Sequence, residues 1–283
     1  MIIDTNNYIK QLDELKFSMP ENTRFSGRVL VAGGSPQGFN QVVEHFLLTS
    51  SLGAGKSVLC LPNNLLKFIP RPHPENISFL PSVNNGSFSK DALPDLLNLS
   101  AGSDALFLPG QLGRSSETAQ TILSLIKKLS RPIIMAGDSV LFLQNEAEIL
   151  EMTNIYLFLN LSLVQRLMGK LELIKFNHLP AVVEEKLQVI ASGTSINFCF
   201  ILSGWLYAVF GDSVYRIKME DAEDDELLMQ NIAAKFASIK TWSKADDLLN
   251  LIFSLKNWTT QALSKLYHRC WKKDFQHQTE YAD

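Results

Sequence analysis

The sequence predicts an α/β fold: a mostly parallel central sheet with helices on both faces and antiparallel strands at one edge. Three observations predict it. Residues 28–61 run from apolar segment to glycine turn, helical period and second apolar segment, the signature of a βαβ unit. Short apolar runs then alternate with amphipathic segments as far as residue 192, as in a sheet covered on both sides. Three β-rich runs separated by tight turns follow, the mark of consecutive antiparallel strands.

In chain order, the predicted strands are Val29–Ala32, Val58–Leu61, Ile77–Leu80, Ala105–Leu108, Pro132–Ala136 and Ile155–Phe158. Helices are predicted between or after them at Gln41–Leu52, Leu93–Leu99, Ser116–Leu129, Leu161–Met168 and Pro180–Ser192. The antiparallel group is Ile196–Leu202, Trp205–Phe210 and Val214–Met219, turning at Ser203-Gly204 and Gly211-Asp212. Helical pattern resumes at Glu226–Ile239, Ala245–Leu255 and Thr259–Cys270, the middle one opened by the capping box Ser243-x-x-Asp246. Residues 1–24 read as an N-terminal helix and linker, 25–270 as a single domain and 271–283 as a polar tail.

The 283 residues are 46% hydrophobic and 19% charged with a formal net charge of −3, ordinary globular composition without a footprint for nucleic acid. Three cysteines, Cys60, Cys199 and Cys270, lie far apart, without metal-finger spacing, as in a reducing compartment. Apolar stretches stop at roughly 10 residues where a bilayer needs ~20. A cytoplasmic protein that engages neither membrane nor nucleic acid is the expectation. No HxxxH or Cys/His grouping points to a metal.

Gly53-Ala54-Gly55-Lys56-Ser57 imitates a phosphate loop, but Ser50 stands where the motif needs its first glycine. The order is also reversed. A helix ends here and a strand begins, so no helix N-terminus faces the lysine.

The arrangement resembles the ribokinase-like fold, and more narrowly the ADP/ATP-dependent NAD(P)H-hydrate dehydratases and related carbohydrate-kinase-like proteins. Gly33-Gly34-Ser35-Pro36-Gln37-Gly38-Phe39-Asn40-Gln41 parallels G-G-S-x-x-Y-x-G-A, and Gly53-Ala54-Gly55 parallels G-A-G-L-V. Pro109-Gly110-Gln111-Leu112-Gly113-Arg114 loosely matches G-P-G-L-G-R, and Ala136-Gly137-Asp138 falls at D-A-D-A-L. Phe158 to Leu167 occupies the place of T-P-H-P-G-E-x-x-R-L, and Leu202-Ser203-Gly204 that of L-K-G. The resemblance runs from about Gly27 to Ile239. It implies a ribokinase-like three-layer sandwich with a substrate side at Ser35, Gln41, Gly110, Gln111, Gly113, Asp138 and Asn160. A nucleotide side is implied at Ser203, Gly204 and Asp225, with Glu226 where the family places its catalytic aspartate. ADP or ATP with Mg²⁺ would be the cofactor if the activity were retained, and the ligand a nucleotide or NAD(P)H-derived compound. Homo-oligomers are common among such relatives.

The departures are systematic. The G-S-G-D turn that wraps phosphate is replaced by Glu223-Asp224-Asp225-Glu226. Two like charges 4 Å apart repel by ~4 kcal/mol at an effective dielectric of 20, so this run opposes a polyphosphate. Read simply as a solvated helix start, it implies the same loss. Ser203 replaces the lysine of K-G, Asn40-Gln41 replaces the small G-A pair, and Phe158–Leu163 is apolar apart from Asn160 and Ser162. Asp138 reads either as a functional carboxylate or as a helix cap. The expectation is a non-catalytic binding or assembly protein; the alternative is a weakly active dehydratase (a lyase) or small-molecule kinase with Glu226 as base.

Overall fold

The structure, a computed structural model, describes residues 20–22, 26–69, 71–84, 86–170, 180–219 and 225–241, with Glu14, Phe17, Ser243, Asp247 and Leu251. Its frame is a nine-stranded sheet in the order β3-β2-β1-β4-β5-β6-β7-β8-β9. The strands are β1 (Arg28–Ala32), β2 (Lys56–Pro62), β3 (Ile77–Leu80), β4 (Ala105–Leu108), β5 (Ile133–Ala136), β6 (Ile155–Leu159), β7 (Asn197–Leu202), β8 (Trp205–Phe210) and β9 (Ser213–Lys218). Strands β1 to β7 pair in parallel, and β8 and β9 close one edge in antiparallel pairing. The central strands are buried almost from end to end, as ALFL in β4, IIMA in β5 and IYLFL in β6 show. Unbroken apolar runs are what a parallel sheet covered on both faces requires.

Helices cover both faces. On one face, α2 (Leu93–Ala101), α3 (Ser116–Lys128), α4 (Leu161–Lys170) and α5 (Pro180–Gly193) set Leu96, Ile122, Val164 and Leu187 against Leu30, Leu106 and Phe198. On the other, α1 (Phe39–Ser51) and α6 (Asp225–Lys240) press Val42, Phe46, Ile232 and Phe236 onto Val31, Phe107 and Phe158. The two helices also pack against each other. The result is the predicted three-layer sandwich.

Element boundaries move by a residue or two from those expected. Among these, β2 begins at Lys56 rather than Val58. Lys56 pairs with Arg28 at the amino end of β1, so the phosphate-loop look-alike lies at the end of the sheet opposite the strand carboxyl ends. The Ala245–Leu255 and Thr259–Cys270 segments lie outside the described residues apart from Asp247 and Leu251, as do residues 1–24 apart from Glu14, Phe17 and 20–22.

The edge aromatics are sheet packing. Tyr207 stacks on Phe200 with centroids 5.4 Å apart, and Phe210 stacks on Phe236 at 6.3 Å. Trp205 lies under the Arg216 guanidinium at 4.4 Å, an orientation favoured by the ring quadrupole. Arg216 is also paired with Glu184 of α5 at 2.5 Å. At the amino end of β6, the Tyr156 hydroxyl donates to Asp247 at 2.9 Å, and Lys240 pairs with the other oxygen of that carboxylate at 2.5 Å. Burial first, and the neighbouring carboxylate second, push the Tyr156 phenol above its ordinary range.

Candidate functional site

Sequence order and strand order together fix where a ligand site can form. From β1 the chain crosses to β2 and β3 on one side, then returns to β4 on the other. The carboxyl ends of β1 and β4 therefore flank the topological switch point, where loops diverge and leave a crevice. The loop after β1 (Gly33 to Gly38) and the loop after β4 (Pro109 to Gly113) meet there. A Cβ on Gly33 would stand 2.8 Å from the Gly110 carbonyl oxygen, so the first glycine is required by the closeness of the two backbones.

Sequence chemistry explains how each loop holds its shape. Gly110 sits at φ +109° and Gln111 at φ +59°, and the Gln111 N–H donates to Asp138 Oδ1 at 2.6 Å. Asp138 comes from the turn after β5, Gly137–Leu143. Gly137 (φ +59°) lies so close to Pro109 and Gln230 that a Cβ would stand 2.9 Å from the Pro109 carbonyl oxygen and 3.1 Å from Gln230 Nε2. Ser139 donates to the carbonyls of Leu108 and Ala136 at 3.0 and 2.7 Å, tying the ends of β4 and β5. Asp138 Oδ1 pins a left-handed residue 27 positions upstream.

At α1, the buried Ser35 carbonyl accepts from the N–H groups of Gly38 and Phe39 at 3.0 Å each. Gly38 is the N-cap residue and provides no side-chain cap. Gln41, exposed in the first turn, accepts from Gln111 Nε2 at 2.7 Å. The helix is anchored one turn on by His45, whose Nδ1–H donates to the Gln41 carbonyl at 2.6 Å. Its ring meets Phe107 edge-on, centroids 6.0 Å apart. Burial lowers the His45 pKa to about 4 against the opposing effect of that carbonyl, so the ring is neutral near pH 7.

Part of the predicted substrate side is thus gathered in space, with Gln41, Gly110, Gln111 and Asp138 joined by hydrogen bonds or as chain neighbours, and Ser35 bonded to Gly38, on which Gln111 lies. Gly113 (φ +72°) lies on the same β4 loop. Asn160 lies at the carboxyl end of β6, where its side chain accepts from the Leu163 N–H at 2.8 Å and caps α4. Capping is what Asn does best at a helix start.

The nucleotide side is organised differently. Ser203 and Gly204 form the two-residue turn between β7 and β8, with φ +53° and +74°, the pattern of a type I′ hairpin. Both are exposed, and among the described residues a Cβ on Gly204 would meet nothing within 4 Å. Because β7 is parallel to β6, this turn lies at the same end of the sheet as the crevice. The Met219 N–H after β9 returns to the Gly204 carbonyl at 2.9 Å. Asp225 and Glu226 open α6; Gln230, one turn on from Glu226, is the residue beside Gly137. The start of α6 therefore faces the carboxyl ends of β4 and β5. The acidic residues at 223 and 224 lie outside the described residues.

What sequence reasoning missed is Gly38 as the floor beneath Gln111, and Gln230 as the link from α6 to Gly137. A glycine just before a helix with no capping side chain was the signal for the first. No sequence signal marks the second. Among the described residues no group of three or more His, Cys, Asp or Glu is arranged to hold a metal, and no helix is long and apolar enough to cross a membrane.

No family model matches the sequence, and no curated protein matches it significantly. Solved structures do. A ribokinase-like superfamily protein of Enterococcus faecalis superposes with a TM-score of 0.65 at 12% identity, over 86% of this chain and 82% of its own. The ADP/ATP-dependent NAD(P)H-hydrate dehydratase of Bacillus subtilis, co-crystallised with ATP/Mg²⁺ and soaked with CoA, matches with a TM-score of 0.63 at 13% identity, over 93% and 97%. The pyridoxal kinase of Bacillus subtilis, in an ADP complex, matches with a TM-score of 0.53 at 12% identity, over 81% and 88%. With the strand order above, these likenesses establish that the chain has the ribokinase-like fold.

Proposed function

We propose that this chain is a ribokinase-like protein in which the phosphate-binding and catalytic motifs have been lost, and that it serves as a non-catalytic binding or assembly protein. One observation supports the reading: at the switch point the chain's own carboxamides meet across the two loops, with Gln111 lying over Gly38 and bonded to Gln41. The sequence supports it on the other side. Ser203 stands where the resembled family has a lysine, and acidic residues stand where it has G-S-G. An anion there meets repulsion where the family offers bare amides and a cation.

A bound ligand must stabilise the folded state in proportion to its affinity. Melting the full chain with ADP, ATP and AMP at millimolar concentration, with and without Mg²⁺, is expected to leave the midpoint unchanged. The Bacillus subtilis dehydratase would serve as the responsive control. A clear nucleotide-dependent rise would overturn the reading.

One observation favours a second reading, that of a weakly active nucleotide-dependent dehydratase or small-molecule kinase with Glu226 as base. Glu226 lies one turn before Gln230, whose side chain reaches Gly137 at the carboxyl end of β5. Turnover of hydrated NADH with ADP, abolished by Glu226→Gln, would establish it. Absence of turnover would remove it.

A further inference from the structure

Gln111 occupies backbone space that glycine enters freely and that a glutamine holds only when its surroundings compel it. Its φ is +59°. Two hydrogen bonds and one close approach hold it there. Its N–H is taken by Asp138 Oδ1 at 2.6 Å. Its Nε2 donates to Gln41 Oε1 at 2.7 Å. Its side chain lies flat on Gly38: a Cβ at that position would stand 2.8 Å from Gln111 Cγ and overlap the carboxamide itself. The glutamine is thus folded across the first turn of α1, over the one α1 cap residue small enough to receive it, at the crevice where sheets of this topology take ligands.

Had this position served only the turn, glycine would have met the need at less cost. Unfavourable backbone retained for the sake of what the side chain does is a mark of function. The side chain does one visible thing: it fills a polar niche with a neutral donor. Two acceptors take the N–H groups of Gln111, Gln41 Oε1 at its side chain and Asp138 Oδ1 at its backbone, so an uncharged N–H donor could replace the side chain, whereas a carboxylate or phosphate brings no proton to Gln41 Oε1.

We propose that Gln111 is an intrinsic stopper, a self-supplied carboxamide that occupies the position of a small ligand bearing a neutral amide donor and swings out when such a ligand enters. The proposal rests on reading this crevice as the binding site of the chain. It goes beyond that reading in naming the group that shuts the site and the chemistry that opens it.

Binding of benzamide to the full chain, followed by saturation-transfer NMR with benzoate as the charged control, tests it. Gln111→Gly removes the stopper at a position where glycine is at ease. It is expected to bind benzamide about tenfold more tightly than the wild-type chain, a difference well within what one relieved contact supplies. Benzoate should gain nothing, and adding Gln41→Ala should erase the benzamide gain. Gln111→Asn, which tolerates positive φ but is shorter, provides the same comparison should the glycine variant fold poorly, and should show a smaller gain. Equal benzamide binding by wild type and variants would overturn the stopper. So would an equal gain for benzoate, or a gain that survives Gln41→Ala. These outcomes are separate from the nucleotide test: the wild-type response to ADP bears on the loss of the nucleotide side, and the benzamide comparison bears on Gln111 alone.

Discussion

The two halves of the carboxyl end of the sheet are built on different plans. Around β1, β4 and β5 the loops interlock: Gly33 abuts Gly110, Gly137 abuts Pro109, and Asp138 reaches back to Gln111. Around β7 and β8 the chain makes an exposed two-residue turn, where among the described residues a Cβ on Gly204 would meet nothing within 4 Å and the Gly204 carbonyl accepts from the Met219 N–H. In the first half glycine is demanded by neighbours; in the second it is demanded only by the local turn. A half held by mutual contact resists change in backbone shape, whereas a half held by its strands alone tolerates replacement of its side chains. That contrast fits part of the sequence departures: chemistry is exchanged at Ser203 and residues 223–226, while Gly33, Gly110 and Gly137, the glycines pressed by neighbouring groups, are kept even though Asn40-Gln41 replaces a small pair on α1.

Three experiments would break or sharpen the contrast. The largest effect is expected for Gly110→Val, which places a branched side chain at φ +109° and a Cβ 2.8 Å from Asp138 Oδ1. A loss of about 4 kcal/mol is expected, since strain and a backbone-side clash act together. Urea denaturation checks it, and a loss below ~1 kcal/mol would show that the first half is looser than described.

Next comes pH. The His45 pKa falls from 6.5 to about 4 on folding, so the unfolded chain binds its proton more readily. The stability that the neutral ring secures is fully present above pH 6.5 and lost as pH falls through 4. The loss amounts to about 3 kcal/mol over that window, at 1.36 kcal/mol per unit. Comparing melting curves of wild type and His45→Phe across pH 7 to 4 isolates it. The variant should lose less stability on acidification, and parallel curves would refute the assignment.

The smallest effect belongs to the open half. Ser203→Asn keeps a polar residue at φ +53° but suits the left-handed region better, and should raise stability by roughly 0.5 kcal/mol. A destabilisation would mean that the Ser203 turn is held by more than its own geometry.

Most of the sheet was legible because its signals are local. Runs such as Ala105–Leu108 and Ile155–Phe158 are apolar without interruption, and Ser203-Gly204 announces its hairpin within two residues. The phosphate-loop look-alike could be set aside for a similarly local reason, the order of helix and strand, and β2 starting at Lys56 agrees. The site was legible as a set of positions and not as a mechanism of closure. Asp138 acts on a residue 27 positions away, and Gln41 is joined to one 70 positions away. Such pairings depend on how β1, β4 and β5 line up, which no window of sequence contains. The capping bond of Asn160 is local, its partner Leu163 being three residues on. The short 3₁₀ helices at Asn63–Phe68 and Gly137–Leu143 carry too few residues for any period to show.

The carboxylate of Asp247 has a practical consequence for anyone shortening this chain. It is shared between the phenol of β6 and the ammonium that ends α6, so a stop codon placed just after position 240 removes the counter-ion and leaves both donors behind. Their desolvation would then go uncompensated. A truncated version of this protein is best ended well downstream of Asp247, however dispensable the remaining tail proves to be.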